Sequence, residues 1–355
     1  MIDLKTPYKI QRTPHSRISE LDTDSIPFGR IFADHMLVCD YADGKWEEPV
    51  IVPYGKMLFS PSISALHYGQ SIFEGMKAFK NSAGEPLLFR ARDNYERMNR
   101  SAARLCMPEI PEDIFLGGLR ELVSLDRDWI PNKEGYSLYL RPFYFATDEY
   151  VGIRPSETYK FIIFSCPVGA YYPEPVNLLI SDEFVRASER GTGESKAAGN
   201  YAASLLGAKR AQEKGYHNVI WVDAKEYKYV EECGTMNIFF VIDGVAITPS
   251  LTGTILRGVT RHSVITLLRD KGIPVEERRI TAEEIYEAHK AGKLNEAFGT
   301  GTAATIAHVN KIGFKGEDMQ LPPISERKIG PWLLQTLSDL RTQKIEDPHG
   351  WVEKI

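Results

Sequence analysis

The stretch Pro167-Val-Gly-Ala-Tyr-Tyr-Pro-Glu-Pro175 constrains the fold of this chain more than any other. Three prolines and a glycine within nine residues read as a linker between domains. It divides 355 residues into two parts of similar size. At about 150 residues per domain, two domains are expected. The boundaries follow: residues 1–166 as a smaller N-terminal domain, 167–177 as linker and 178–355 as a larger C-terminal domain.

Both parts mix strand and helix signals, which predicts an α+β fold. Met36–Tyr41 and Val50–Tyr54 are β-type runs joined through Asp43-Gly44, a strong hairpin signal. Phe73–Lys80 and Pro86–Arg90 form a second candidate hairpin. Helices are expected at Asp93–Cys106 and Glu112–Asp126, followed by buried strands at Tyr136–Ala146 and Tyr159–Cys166. Beyond the linker the spacing predicts strands at Val176–Phe184 and Asn218–Asp223, and a hairpin Asn237–Ile247 turning at Asp243-Gly244. Helices are expected at 198–214, 259–271, 282–291 and 329–345.

A formal net charge of −5 gives no footing for a polyanion, so no nucleic-acid partner is expected. Apolar runs such as Phe161–Cys166 are too short to span a bilayer. With no apolar leader after Met1 and four scattered cysteines without a CxxC pair, a cytoplasmic setting is expected. The eight histidines show no ligand spacing, so no metal is expected. Gly299-Thr-Gly-Thr-Ala-Ala304 mimics a dinucleotide fingerprint, but strand-like Thr305–Val309 follows where a helix is required. Gly191-Thr-Gly-Glu-Ser-Lys196 lacks the Gly-Lys-Ser/Thr ending of a P-loop.

Lys196 stands between that glycine-rich turn and a helical run, and taken alone it reads as a solvated amine. Five strings change its reading: Phe73-Glu-Gly-Met-Lys-Ala-Phe-Lys80, Tyr139-Leu-Arg-Pro142, Lys196-Ala-Ala-Gly-Asn-Tyr201, Glu232-Cys-Gly-Thr-Met-Asn237 and Gly253-Thr-Ile-Leu-Arg-Gly-Val-Thr-Arg261. In this order, from about Phe28 to Ala303, the chain resembles the branched-chain amino-acid aminotransferases, pyridoxal-phosphate enzymes of fold type IV. The resemblance implies the fold type IV architecture with the cofactor in the interdomain cleft. It implies transamination of L-leucine, L-isoleucine and L-valine with 2-oxoglutarate by a ping-pong mechanism.

The resemblance makes Lys196 the amine of the internal Schiff base and, once released, the base that moves the proton. Glu232 is assigned to the pyridine nitrogen and Tyr201 to the ring oxygen. Val259 and Thr260 at a helix start, the hydroxyl of Thr302 and the guanidinium of Arg97 are assigned to the phosphate. Arg97 is chosen among five neighbouring arginines only by the Arg-Met-x-Arg-Ser string, and Arg186 matches a further family arginine with a weaker role. The substrate wall is assigned to Phe28, Tyr68, Phe73, Tyr139, Tyr171 and Thr235. Tyr139 and the amides at Thr302-Ala303 would hold the substrate carboxylate. Arg141, two residues beyond Tyr139 and so on the same strand face, would take the second carboxylate of glutamate. The loop Glu149–Arg154 matches one that reaches a neighbouring subunit through Val151 and Ile153, which implies a homodimer.

Two positions depart from the family pattern: a CxxC pair found in some members is missing after Ala303, and Arg257 replaces a frequent proline. Other fold type IV enzymes, namely a D-amino-acid aminotransferase or an aminodeoxychorismate lyase, share the lysine and the glutamate. The Phe-Glu-Gly-Met-Lys-Ala-Phe and Tyr-x-Arg-Pro strings favour the branched-chain type over these. A non-catalytic pyridoxal-phosphate binding protein is the alternative of another class.

Overall fold

The computed structural model describes residues 8–22, 25–169, 174–181 and 183–355. The backbone divides into two units, residues 1–171 with 339–355, and residues 172–338.

The first unit is built on strands β1 (Lys9–Ile10), β2 (His35–Ala42), β3 (Lys45–Trp46), β4 (Val50–Pro53), β5 (Ser71–Phe73), β6 (Met76–Lys80), β7 (Pro86–Phe89), β8 (Ser137–Ala146) and β9 (Tyr159–Val168). Helices α1 (Ser64–Tyr68), α2 (Ala91–Arg104) and α3 (Gly118–Leu125) complete it. The main sheet runs β1-β4-β2-β9-β8-β6-β7, with β8 and β9 paired along their whole length from Ser137↔Val168 to Ala146↔Tyr159. Their aromatic and β-branched composition suits a sheet buried on both faces. The Asp43-Gly44 turn forms as expected, both residues at positive φ (53° and 75°), as the twist of a tight hairpin requires.

Two expectations are corrected here. The run Phe73–Lys80 is not one strand: it breaks at Glu74-Gly75, where the Glu74 carboxylate turns inward and a side chain at position 75 would strike the Tyr139 hydroxyl. The helix expected over 112–126 opens as a π-type turn over Asp113–Gly117, where Gly117 and Gly118 lie tight against Tyr8 and Leu37 and leave no room for a side chain.

The second unit has strands β10 (Val176–Ile180), β11 (Asn218–Val222), β12 (Val230–Cys233), β13 (Asn237–Ile242), β14 (Val245–Thr248), β15 (Val275–Glu277), β16 (Leu294–Gly301), β17 (Thr305–Phe314) and β18 (Glu317–Gln320). Its helices are α4 (Ala198–Glu213), α5 (Val259–Asp270) and α6 (Ala282–Lys290), and α7 (Ile329–Arg341) begins in it and ends at the first residues assigned to the first unit. The sheet runs β12-β11-β10-β17-β16-β13-β14-β15, with β18 on β17. β10 is parallel to both of its neighbours, whereas β13 is antiparallel to both β14 and β16. Gly299–Ala304 lies in the antiparallel hairpin of β16 and β17, a geometry incompatible with a dinucleotide fold. The core gathers Ile220, Val222, Ile238, Phe240, Ile285 and Val309, all nearly or fully inaccessible.

β10 begins at Val176, inside the stretch read as linker. The chain end also differs from the expected division. β19 (Val352–Lys354) pairs antiparallel with β7, and the Arg90 amide donates to the Trp351 carbonyl at 2.7 Å. The end of the chain thus returns to the first unit and covers a strand that would otherwise present an unpaired edge.

Candidate active site

Lys196 sits at the entrance to α4, followed by Ala197 in extended conformation as N-cap. The turn before it is closed by the Asn200 amide, which donates to the carbonyls of Thr192 (2.8 Å) and Ser195 (2.9 Å) while its oxygen accepts from Thr192 Oγ1 (2.7 Å). Gly193 is required there, because a Cβ would collide with the Thr254 carbonyl. Further along α4, Gly207 lets the helix settle on the ring of Trp221, which is itself pinned by a 2.9 Å bond from Nε1 to the Gly234 carbonyl. With the helix so fixed, Lys196 Nζ donates to the Tyr201 hydroxyl at 2.8 Å.

β12 carries Glu231 and Glu232, which alternation sends to opposite faces. Both are buried. Glu232 Oε1 accepts from the Leu256 amide at 2.7 Å and from Asn237 Nδ2 at 3.3 Å. Its Oε2 lies 3.0 Å from Arg186 Nε, an ion pair whose off-axis N–H falls short of a hydrogen bond. Arg186 Nη2 donates to the carbonyls of Gly193 (3.0 Å) and Thr254. Arg186, Ser195, Tyr201, Glu232 and Thr235 line one depression of this unit. Gly258 caps α5 with no side-chain cap bond and packs on the Asn237 side chain, so Val259 and Thr260 open the helix. Thr302 and Ala303 occupy the turn from β16 to β17.

The first unit gathers a second set. Arg141 Nη2 donates to the Tyr139 hydroxyl at 3.0 Å, and its guanidinium lies over the Phe73 ring at 4.7 Å. Phe28 meets Tyr139 edge-on at 5.3 Å. Arg97 is clamped by Glu74, Nε to Oε1 at 2.7 Å and Nη2 to Oε2 at 2.8 Å, with both side chains buried. Tyr68 ends α1 half-exposed, Val151 and Ile153 are exposed, and Tyr171 lies outside the described residues.

Sequence reasoning missed Glu74, Asn200, Asn237 and Lys77. Glu74 and Arg97 are 23 residues apart with no spacing rule to join them. Lys77 faces Tyr139 across the β6–β8 ladder and is buried. Among the described residues no group of His, Cys, Asp and Glu could hold a metal ion, and no helix is long and apolar enough to cross a membrane.

An amine bonded to a phenol, a buried carboxylate held by an arginine and amides, and an uncapped helix start form a donor set suited to an aldehyde, a basic ring nitrogen and an anionic group. The comparisons agree with that chemistry. Residues 71–312 match the model of the class IV amino-transferases. Branched-chain-amino-acid aminotransferase 2 of Bacillus subtilis is 46% identical over 338 residues, covering 94% of this chain and 93% of that protein. The crystal structure of the Escherichia coli branched-chain amino acid aminotransferase superimposes with a TM-score of 0.73 at 28% identity, covering 89% of this chain and 98% of that one. The branched-chain aminotransferase of the thermophilic archaeon Thermoproteus uzoniensis, solved with norvaline, gives the same TM-score of 0.73 at 28% identity, again covering 89% and 98%. The chain belongs to the class IV aminotransferases. Within that class it is a member of the branched-chain-amino-acid aminotransferases, which use pyridoxal phosphate.

Proposed function

We propose that this protein transfers the amino group of L-leucine, L-isoleucine or L-valine to 2-oxoglutarate, with Lys196 as the covalent anchor of pyridoxal 5'-phosphate. The observation that carries the reading is the Lys196–Tyr201–Glu232 arrangement in a chain 46% identical to a branched-chain aminotransferase. Pyridoxal phosphate, when bound, supplies an aldehyde that takes up the amino group and a ring that accepts the electron pair left at Cα.

The protein's residues supply the rest. Lys196 Nζ would hold the cofactor's aldehyde and, as a free amine, would be the base that takes and returns the proton at the substrate Cα. The Tyr201 hydroxyl keeps that amine oriented and bonds the ring oxygen. Glu232, paired with Arg186, holds a proton on the ring nitrogen by charge. The amides of Val259 and Thr260, the hydroxyl of Thr302 and the guanidinium of Arg97 take the phosphate. Phe28, Tyr68, Phe73, Tyr139 and Thr235 are the residues we assign to the wall that accepts a branched side chain, with Val151 and Ile153 contributed by a second copy. Tyr139 and the Ala303 amide hold the substrate carboxylate, and Arg141 takes the distal carboxylate of glutamate. The active form is a homodimer in the cytoplasm.

Glutamate formation from L-leucine and 2-oxoglutarate tests the assignment. Lys196→Ala is expected to lower kcat by about a thousand-fold or more, since proton transfer alone contributes on the order of 10²–10⁴. Turnover of D-alanine with none of L-leucine would overturn the substrate class, and an active Lys196→Ala would overturn the anchor.

A further inference from the structure

Glu231 and Glu232 are neighbours on β12 with different surroundings. Glu232 is held by Arg186, Leu256 and Asn237. Glu231 is 5% exposed, yet only its Oε1 is engaged, by Thr254 Oγ1 at 2.5 Å; Oε2 has no hydrogen-bond partner. A buried carboxyl left half-satisfied costs stability. Desolvation by burial raises its pKa, and the bond from Thr254 and the charge of Arg186 act against that rise.

The contacts join the two carboxyls through one loop. Glu231 anchors the Thr254 hydroxyl, which also shares a 2.9 Å bond with the Thr252 hydroxyl. The Thr254 carbonyl accepts from Arg186 Nη2, and Arg186 Nε stands 3.0 Å from Glu232 Oε2. The same Nη2 donates to the Gly193 carbonyl, in the turn that leads to Lys196. Gly193 itself packs against the Thr254 carbonyl, so a displaced Thr254 moves both ends of the arginine's cradle.

We propose that Glu231 is a positioning residue that, through Thr254 and Arg186, fixes the placement and charge of Glu232. The proposal rests on Glu232 being the partner of the cofactor's ring nitrogen. Slackening the Thr254 loop releases Arg186, and Glu232 then loses both its neutralising charge and its orientation. Removing the Glu231 carboxylate also takes a negative charge from the neighbourhood, which disfavours protonated forms of bound groups.

The test uses holoenzyme and two readouts other than turnover: the rate of cofactor release into buffer containing a cofactor trap, and the pH midpoint of the bound cofactor's absorbance band. Glu231→Gln and Thr254→Val are each expected to release cofactor about ten-fold faster, the lower end of what an outer partner contributes at metal sites. Glu231→Gln is expected to shift the midpoint away from wild type. Thr254→Val, which frees Arg186 from Glu232 while keeping both carboxylates, is expected to raise it. Thr254→Ser, which keeps the hydroxyl, is expected to keep wild-type release. A cavity of about 280 Å³ lies beside Glu231 and is roomy enough for a small carboxylate. Added acetate is therefore expected to bring the midpoint of Glu231→Ala back toward wild type.

If Glu231→Gln and Thr254→Val lower only the melting temperature, leaving release and midpoint at wild-type values, Glu231 is merely structural and the proposal fails. If Glu231→Ala does not fold, the Val/Ser pair at position 254 still decides. A Glu232→Gln protein with unchanged midpoint and release would instead overturn the assignment of Glu232 itself, separating the two failures.

Discussion

At the residue scale, Lys77 is the least comfortable group in the first unit. Burial away from water, with the Arg341 guanidinium adding repulsion, drives its pKa from 10.5 down to about 7. The unfolded chain therefore binds a proton that the folded chain gives up between about pH 7 and pH 10.5. Where the unfolded state binds more protons, stability rises with pH. Lys77 should thus add a rising component across that window, while below pH 7 its burial cost is fully present. Lys77→Met removes the component, so the wild-type deficit relative to the variant is expected to shrink as pH climbs from 7 to 10. Urea midpoints of both proteins at pH 6.5, 8 and 9.5 measure it, and a constant difference would show that Lys77 is not the titrating group. Nothing in the sequence marks this lysine, because its burial depends on β8 and on a distant chain end. Lys196, Tyr201 and Glu232 are singled out only because the strings around them resemble a family, since taken alone each reads as an ordinary surface or core residue.

At the element scale, strand composition and turn chemistry carried most of the fold. The β8–β9 pair, both Asp-Gly hairpins and α4 to α6 lie within a few residues of the positions that periodicity predicts. What failed depended on contacts between elements. The break at Glu74-Gly75 exists because Tyr139 of β8 occupies the space, and the chain end joins β7 because an edge needs a cover. Helix α4 makes the same point in a testable form. Its apolar pattern is weak, Leu205 and Leu206 are exposed, and it is seated through Gly207 on Trp221. Gly207→Val brings branched methyls onto a ring already in contact with the backbone. Overpacking of that kind costs about 1–3 kcal/mol, outweighing the roughly 0.3–0.5 kcal/mol that valine's better helix propensity returns. Because Lys196 directly precedes the N-cap of this helix and Tyr201 lies in its first turn, the variant is expected to lose thermal stability and to raise the Kd for pyridoxal phosphate together. A lower melting temperature with unchanged cofactor affinity would mean that the helix seat does not govern the lysine.

At the scale of the whole molecule, exposed apolar side chains argue for a second copy. Leu58, Leu66, Val151 and Ile153 in the first unit are 99%, 69%, 68% and 91% exposed, and Tyr150 is half-exposed beside them in sequence. Single exposed leucines are ordinary, but a loop that presents Tyr150, Val151 and Ile153 in four positions, with little apolar cover of its own, has a face suited to a partner. The loop is nonetheless well anchored: Arg154 pairs with Asp148 at 3.0 Å and with Glu157 at 2.9 Å, and its guanidinium lies over the Tyr150 ring at 4.6 Å. Anchoring before association lowers the entropy lost on binding, so a partner docking on this loop would meet it already ordered. Sedimentation equilibrium of the wild type is expected to give twice the 40.1 kDa chain mass. Val151→Asp combined with Ile153→Asp places two charges where an apolar contact is needed, and should shift the protein toward monomer while leaving its circular dichroism unchanged. Activity distinguishes assembly from chemistry here. If both residues also wall the neighbouring site, KM for L-leucine rises along with dissociation, and adding wild-type subunits restores it by forming mixed dimers. A double variant that stays dimeric with normal KM would remove this loop from both roles.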